Sequence, residues 1–257
     1  MSETMVDEAD LERRFGGLRR LHGSAAYARI RGASVAVVGL GGVGSWAAEA
    51  LARSGVARLV LIDMDQVAES NINRQVQALG STVGQSKVEA MAARVGQIHP
   101  GCEVHAVDAF AEPGHWPALL PVPVDGLIDA CDDFRAKSML AAWARASGVP
   151  LVCVGAAGGK RRPQAVECAD LADVTHDPLL AGLRQRLRRE HGAPGKGALG
   201  VRCVFSREPV APPAEGCEAD GSLNCHGYGS SVTVTATFGF TAAAELLALL
   251  TLPTRRL

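Results

Sequence analysis

The sequence predicts an α/β protein: a doubly wound, mainly parallel sheet with helices on both faces, followed by a C-terminal extension. Two observations carry that expectation. Residues 34–44 read Ser-Val-Ala-Val-Val-Gly-Leu-Gly-Gly-Val-Gly, an apolar, β-branched run ending in Gly39, Gly41, Gly42 and Gly44, and a helix-like stretch over 45–54 follows at once. Strand-like and helix-like segments then alternate as far as residue 155, the pattern of parallel strands joined by covering helices. The 257 residues are 47% hydrophobic and 21% charged. That is ordinary for a soluble globular protein near the upper size of one hydrophobic core, so residues 1–257 are expected to form a single domain.

The elements follow in order. Residues 1–12 are polar and acidic, and 13–32 read as a basic, glycine-punctuated lead-in with a short helix over 24–31. After the helix-ending Gly55, residues 57–63 form the second strand. Residues 86–98 have helical spacing in Val88, Met91, Ala92 and Val95, and His99-Pro100 closes them. A strand over 103–110, a proline-rich loop over 113–123, a buried strand over 125–130, a helix over 136–146 ended by Gly148, and a strand over 151–155 complete the alternation. Beyond it lie a basic turn at 158–163 and a helix over 178–191 with Leu179, Leu180, Leu183 and Leu187 on one face. A strand over 199–206 and an exposed loop over 207–222 follow. Residues 231–252 are nearly all apolar or small and long enough to span a bilayer. Glu245 lies among them, and a mid-membrane carboxylate is costly, so a buried strand or helix of the core is expected and membrane association is not.

The glycine turn is the first sign of chemistry. Glycines permit positive φ and let backbone N–H groups approach a ligand. The helix N-terminus behind them offers free N–H donors and partial positive charge, which suits a phosphate. Gly39, Gly41 and Gly44 also satisfy the dinucleotide fingerprint, with Asp63 ending the next strand at about the expected distance. On the glycines alone an NAD-dependent oxidoreductase stays open. The residues past Asp63 choose otherwise. Asn71 and Arg74, three apart, face the same way on a helical turn and pair a neutral hydrogen-bonding group with a guanidinium fork. Lys87 adds a mobile point charge, and Asp132, just past a buried strand, can hold a magnesium ion. Gly39, Asp63 and Asp132 all fall at carboxyl ends of strands, where open α/β sheets bind ligands.

Taken together, Gly-x-Gly-Gly-x-Gly, Asp63-Met64-Asp65, Asn71-x-x-Arg74, Lys87 and Asp129-x-x-Asp132 resemble the adenylating family of ubiquitin-activating enzymes, over roughly residues 13–157. The resemblance implies a Rossmann-like nucleotide-binding core over 13–157, with 158–257 as a substrate-, tRNA- and dimer-contributing extension. It implies that Asp63 holds the ATP ribose, that Asn71, Arg74 and Lys87 contact the phosphates, and that Asp132 binds magnesium. Carrier-protein activators of this family usually have two Cys-x-x-Cys zinc pairs. This chain has none among its seven cysteines, so no zinc is expected. Instead Arg14-Phe15-Gly16-Gly17, Asp177-Pro178-Leu179-Leu180, residues 200–206, residues 224–231 and residues 235–239 are similar to the tRNA threonylcarbamoyladenosine dehydratase branch. That branch uses ATP to activate a carboxylate on a modified tRNA adenosine, which then cyclises with net loss of water. The resemblance further implies a homodimer, with Arg14 or Arg20 reaching the partner's site, and admits a sulfur-transfer protein partner. An activator of a ubiquitin-like carrier protein is the alternative.

Two features of the chain bear on that branch without deciding it. Cys225 sits in a Cys-His-Gly turn, where His226 could lower its pKa, and it is a candidate reactive thiol as well as a candidate inert one. Net charge is −1, but residues 160–202 hold nine Lys/Arg against five acids. A solvated helix face accounts for Arg184, Arg186, Arg188 and Arg189 as well as RNA does. The glycine-flanked Lys160-Arg161-Arg162 and Lys196 tilt the reading towards nucleic-acid phosphates. Without a secretory signal, reduced thiols in the cytoplasm are expected. His22, His99 and His176 carry no readable pattern.

Overall fold

The computed structural model describes residues 10–211 and 228–252. Seven strands form one sheet: β1 (Ser34–Val38), β2 (Arg58–Ile62), β3 (Glu103–Val107), β4 (Gly126–Asp129), β5 (Leu151–Val154), β6 (Val166–Asp170) and β7 (Arg202–Ser206). Their order is β3-β2-β1-β4-β5-β7-β6, all parallel except β6, which runs antiparallel to β7 at the edge. The central strands are buried on both faces, so they read as continuous apolar runs rather than alternating ones. Val35 and Val37 face one side, with helices α3 (Gly44–Arg53), α4 (Lys87–Ile98) and α7 (Val232–Thr251). Ala36 and Val38 face the other, with α5 (Phe134–Ser147) and α6 (Pro178–Glu190).

The register aligns the carboxyl ends. Val38 is level with Ile62 and with Asp129, and Ile62 with Val107. Gly39, Asp63, Ala130 and Gly155 therefore leave the sheet along one edge. Each donates its backbone N–H to a strand carbonyl beside it, Gly39 to Ile62 at 2.8 Å and Ala130 to Val38 at 2.9 Å. The strand order reverses direction between β1 and β4, the position at which such sheets open a crevice for ligands.

Three expectations need correction or completion. Residues 11–22 are helix, not lead-in: α1 (Leu11–His22) starts at Asp10, whose carboxylate accepts from the Arg13 N–H at 3.0 Å. Gly16 and Gly17 mask its pattern, since each costs a helix about 1 kcal/mol relative to Ala. Docking offsets that cost, because Phe15 is buried against His99 and Arg14 donates to the Ile98 carbonyl at 2.6 Å. The second helix, α2 (Ser24–Gly32), stands where expected. Strand β6 carries no strand signal in the sequence, because its residues are all half-buried and lack clean alternation. The 231–252 segment is helix. By length and composition α7 could cross a membrane, but it packs along α3 and the sheet, and Glu245 pairs with Arg202 on β7 at 2.5 Å. Gly239 permits the close crossing of α7 over α3, since a Cβ there would lie 2.5 Å from the Val43 carbonyl oxygen.

Candidate functional site

The glycine turn is built by sterics. Gly39 has φ +86°, and a Cβ on it would lie 2.8 Å from the Cys131 backbone nitrogen. The turn out of β1 is thus pressed against the turn out of β4. A Cβ on Gly44 would lie 1.7 Å from the Gly39 carbonyl oxygen, so α3 can begin that close only with glycine. At Gly42 a Cβ would be 3.2 Å from the Arg74 side chain and 3.3 Å from Thr235. Gly41 has open space where its side chain would be, and it is the position from which backbone can meet a ligand.

Asp63 sits under this turn. Its Oδ2 accepts from the Leu40 N–H at 2.6 Å and its Oδ1 from the Asp65 N–H at 2.8 Å. Burial raises the Asp63 pKa above the ordinary 3.8, against the pull of Lys87 and the two backbone donors. Lys87 Nζ lies 2.6 Å from Asp65 and 3.9 Å from Asp63. It is brought there because the chain after Asp63 folds back: Val67 N–H donates to the Gln85 carbonyl and Lys87 N–H to the Asp65 carbonyl. Asn71 is buried and its side-chain oxygen accepts from the Ala68 N–H at 3.0 Å, closing a 3-10 turn. Its amide NH2 is then the group that can donate to a phosphate. Arg74 follows on the next turn, 8% exposed, held through Nη1 by the Ser70 carbonyl and by Asn73 Oδ1. Trp46 on α3 donates to the Arg74 carbonyl at 2.9 Å, which ties this segment to the glycine turn.

Asp132 is exposed just past β4, and its partner in the motif is different in kind. Asp129 is completely buried, and its Oδ1 lies 3.0 Å from Nζ of Lys137, also completely buried. Burial works against the charge on Lys137, but Asp129 overcomes it and raises the lysine pKa, with help from the sulfurs of Cys153 and Cys131. Burial likewise pushes the Cys131 thiol up, and hydrogen bonding with Cys203 does so for Cys153. Neither thiol is a ready nucleophile. The exposed Asp132 carboxylate supplies an oxygen ligand of the kind a magnesium ion takes, and is the residue that would hold one here. No group of three or more His, Cys, Asp or Glu suited to a metal exists among the described residues.

The structure thus gathers Gly39, Gly41, Gly42, Gly44, Asp63, Asn71, Arg74 and Lys87 around the glycine turn, with Asp132 on the loop that Gly39 touches. Cys225 and His226 lie outside the described residues. Sequence reasoning missed three supports. Gln77 donates to the Leu40 carbonyl at 2.9 Å from beneath the turn. Asn73 links Arg74 to the Ser230 carbonyl. Lys137 had a legible signal, since it shares the i, i+3, i+4, i+7 face of α5 with buried Leu140, Ala141 and Ala144. The basic segment needs correction. Lys160 is buried, donating to the carbonyls of Ser206 and Glu208, and Arg184 donates to those of Leu171 and Val174. Both are engaged with backbone carbonyls inside the fold.

A sequence model of the ThiF family matches residues 13–256. The chain belongs to the ThiF family. A ThiF-family relative, the tRNA threonylcarbamoyladenosine dehydratase of Escherichia coli, is 45% identical over 246 residues, covering 91% of this chain and 92% of that protein. The crystal structure of E. coli tRNA N6-threonylcarbamoyladenosine dehydratase in complex with ATP superposes with a TM-score of 0.85 at 44% identity, covering 94% of this chain and 96% of that one. The molybdopterin-synthase adenylyltransferase of E. coli, another relative, is 37% identical over only 48% of this chain. The fold agrees with the expectation drawn from the sequence.

Proposed function

We propose that this ThiF-family enzyme uses ATP to adenylate the carboxylate of threonylcarbamoyl-adenosine in tRNA and then lets the activated group cyclise. The observation that carries this reading is the joining of a glycine turn, Arg74 and Lys87 into one cationic cradle, in a chain similar along nearly its whole length to tRNA threonylcarbamoyladenosine dehydratases. A carboxylate oxygen attacks the α-phosphorus, pyrophosphate leaves, and an acyl-adenylate forms. A heteroatom of the same modified side chain then attacks the activated carbonyl carbon, AMP leaves, and water is lost overall. Two like charges about 4 Å apart repel by about 4 kcal/mol at an effective dielectric near 20. Arg74, Lys87 and the turn amides offset this and stabilise charge that develops in the transition state. Asp63 accepts from the ribose hydroxyls, and Asn71 donates to a phosphate. Asp132 would hold magnesium, which would supply charge neutralisation on the phosphates.

The second step is intramolecular, so no protein nucleophile is required. A Cys225→Ser variant that cyclises normally assigns Cys225 no catalytic part, and one that stalls at the adenylate gives it one. Residues 13–157 supply the nucleotide site and 158–257 the tRNA-facing and dimer-forming surface. The enzyme works in the cytoplasm as a homodimer with reduced thiols, and a sulfur-transfer protein is a further candidate partner. The deciding experiment is ATP–pyrophosphate exchange with modified tRNA, unmodified tRNA and a ubiquitin-like carrier protein. Exchange driven by modified tRNA alone is expected. Exchange driven by the carrier protein favours the alternative activator, and preference for NAD over ATP ends the reading.

A further inference from the structure

We propose that Lys137 is a positioning residue for the metal-bearing loop: its buried ion pair with Asp129 holds residues 130–133 so that Asp132 faces the nucleotide. The inference rests on the reading of Asp132 as the carboxylate that holds magnesium.

Lys137 lies one turn into α5, on the face the helix buries, where an aliphatic residue would ordinarily pack. Its Nζ reaches back along the helix to Asp129, at the last position of β4, contacting Oδ1 at 3.0 Å and the backbone carbonyl at 3.4 Å. Asp129 Oδ1 also accepts from the Cys131 backbone N–H at 3.2 Å and from the Cys131 thiol at 2.9 Å, while Oδ2 accepts from the Cys153 thiol at 3.2 Å. One carboxylate is therefore bonded to the strand beside it, to the loop and, through Lys137, to the helix that follows. At the far end of the same loop Asp133 caps α5 by accepting from the Ala136 N–H at 2.6 Å. Asp132 and Asp133 are both exposed, but the Asp133 carboxylate is engaged in the cap, and Asp132 lies between the two anchors. The loop's first residues, Ala130 and Cys131, are also those that Gly39 approaches closely, while Asp132 lies beyond them.

A buried ion pair is seldom chosen for stability alone, because well-packed apolar residues of similar volume serve as well or better. Removing only Lys137 leaves Asp129 buried without its counter-charge. Removing both charges avoids that penalty and isolates the positioning role. The test accordingly uses Lys137→Met and the double variant Asp129→Asn/Lys137→Met, with Asp132→Asn as reference. The probe is manganese, followed by electron paramagnetic resonance as it binds the enzyme carrying a non-hydrolysable ATP analogue. Analogue binding without metal is measured in parallel, as is the magnesium dependence of tRNA-dependent pyrophosphate release.

The double variant is expected to fold and to bind analogue without metal within about threefold of the native protein. Its manganese affinity should fall about tenfold or more, with half-saturating magnesium rising to match. Adding Asp132→Asn to it should cost no further metal affinity. Native metal affinity in the double variant, where Asp132→Asn loses it, overturns the positioning role and leaves the Asp132 reading standing. Losses that multiply when the substitutions are combined overturn it too, since the pair and Asp132 would then act independently. Native metal affinity in Asp132→Asn itself removes both readings together.

Discussion

Arg74 is the side chain on which the proposed chemistry leans most. One of its terminal nitrogens is held by Ser70 and Asn73, so the guanidinium is oriented before any ligand arrives, and the remaining N–H groups are free of reorganisation when charge develops. Arg74→Ala is expected to lower kcat for adenylate formation by about 10²–10³, the scale for losing one such donor. Unchanged turnover in a single-turnover assay would take Arg74 out of the mechanism. Asp63 makes a pH prediction. Its raised pKa means that the unliganded protein protonates this carboxyl at a higher pH than a free aspartate, and protonation removes the acceptor that a ribose hydroxyl needs. ATP affinity should therefore fall on acidification with a midpoint above 3.8. Asp63→Asn should bind weakly at every pH and show no such inflection.

At the scale of elements, the glycine turn separates two kinds of glycine. Gly44→Ala places a methyl onto the Gly39 carbonyl oxygen, and no rotamer relieves that clash, so the variant should lose both thermal stability and ATP binding. Gly41→Ala meets open space. Its melting temperature should stay within a few degrees of native while ATP affinity drops at least tenfold, because the methyl projects where a ligand approaches. A Gly41→Ala protein with native affinity would move the phosphates elsewhere. The docking of α1 and α2 depends on His99. Arg31 donates to its Nε2 at 2.9 Å, and Phe15 packs on its ring. Burial, then Arg31 and Arg14, lower the His99 pKa below 6.5. Above pH 6.5 the ring is neutral folded or unfolded and there is no penalty. As pH falls through 6.5 the unfolded chain takes up a proton that the folded one resists, so stability is lost on the acid side. A melting temperature flat between pH 7.5 and 5.5, or one whose slope is unaltered in His99→Gln, would contradict this.

In the proposed reaction the whole molecule would meet an RNA far larger than the adenosine modified. The surplus of basic residues in 160–202 survives the removal of Lys160 and Arg184 from the account. Arg188 and Arg189 stand at the end of α6, Arg189 alongside Glu190 at 2.5 Å and Arg188 donating to the Pro194 carbonyl at 3.2 Å. If they meet phosphates, tRNA affinity falls steeply with salt, and Arg188→Gln/Arg189→Gln should flatten the log–log slope by about two, near one per lost contact. A slope unchanged in that variant would leave these side chains as solvated helix surface. The same charge count read from the sequence could not separate Arg188 from Arg184, because both share a helix and only their partners distinguish them: Arg184 donates to two part-buried carbonyls, those of Leu171 and Val174, and Arg188 to the exposed one of Pro194.

What the chain determines by itself is local in sequence. Gly39 to Gly44, with a β-branched run before them and a helix behind, specify a tight strand-to-helix turn through φ and steric clearance within a dozen residues. Asp63, Asn71, Arg74 and Lys87 keep fixed spacing from it, so their gathering was legible too. Helix α1 was hidden because Gly16 and Gly17 obscure its period, and its stability comes from Phe15 and Arg14 docking on residues more than eighty positions away. Only the tertiary structure decided that Asp129 and Asp132, three apart in one motif, are a buried charge and an exposed one. The choice depends on Lys137 arriving from the next helix and on Cys153 from the next strand, and burial of a charge is settled by what surrounds it in space.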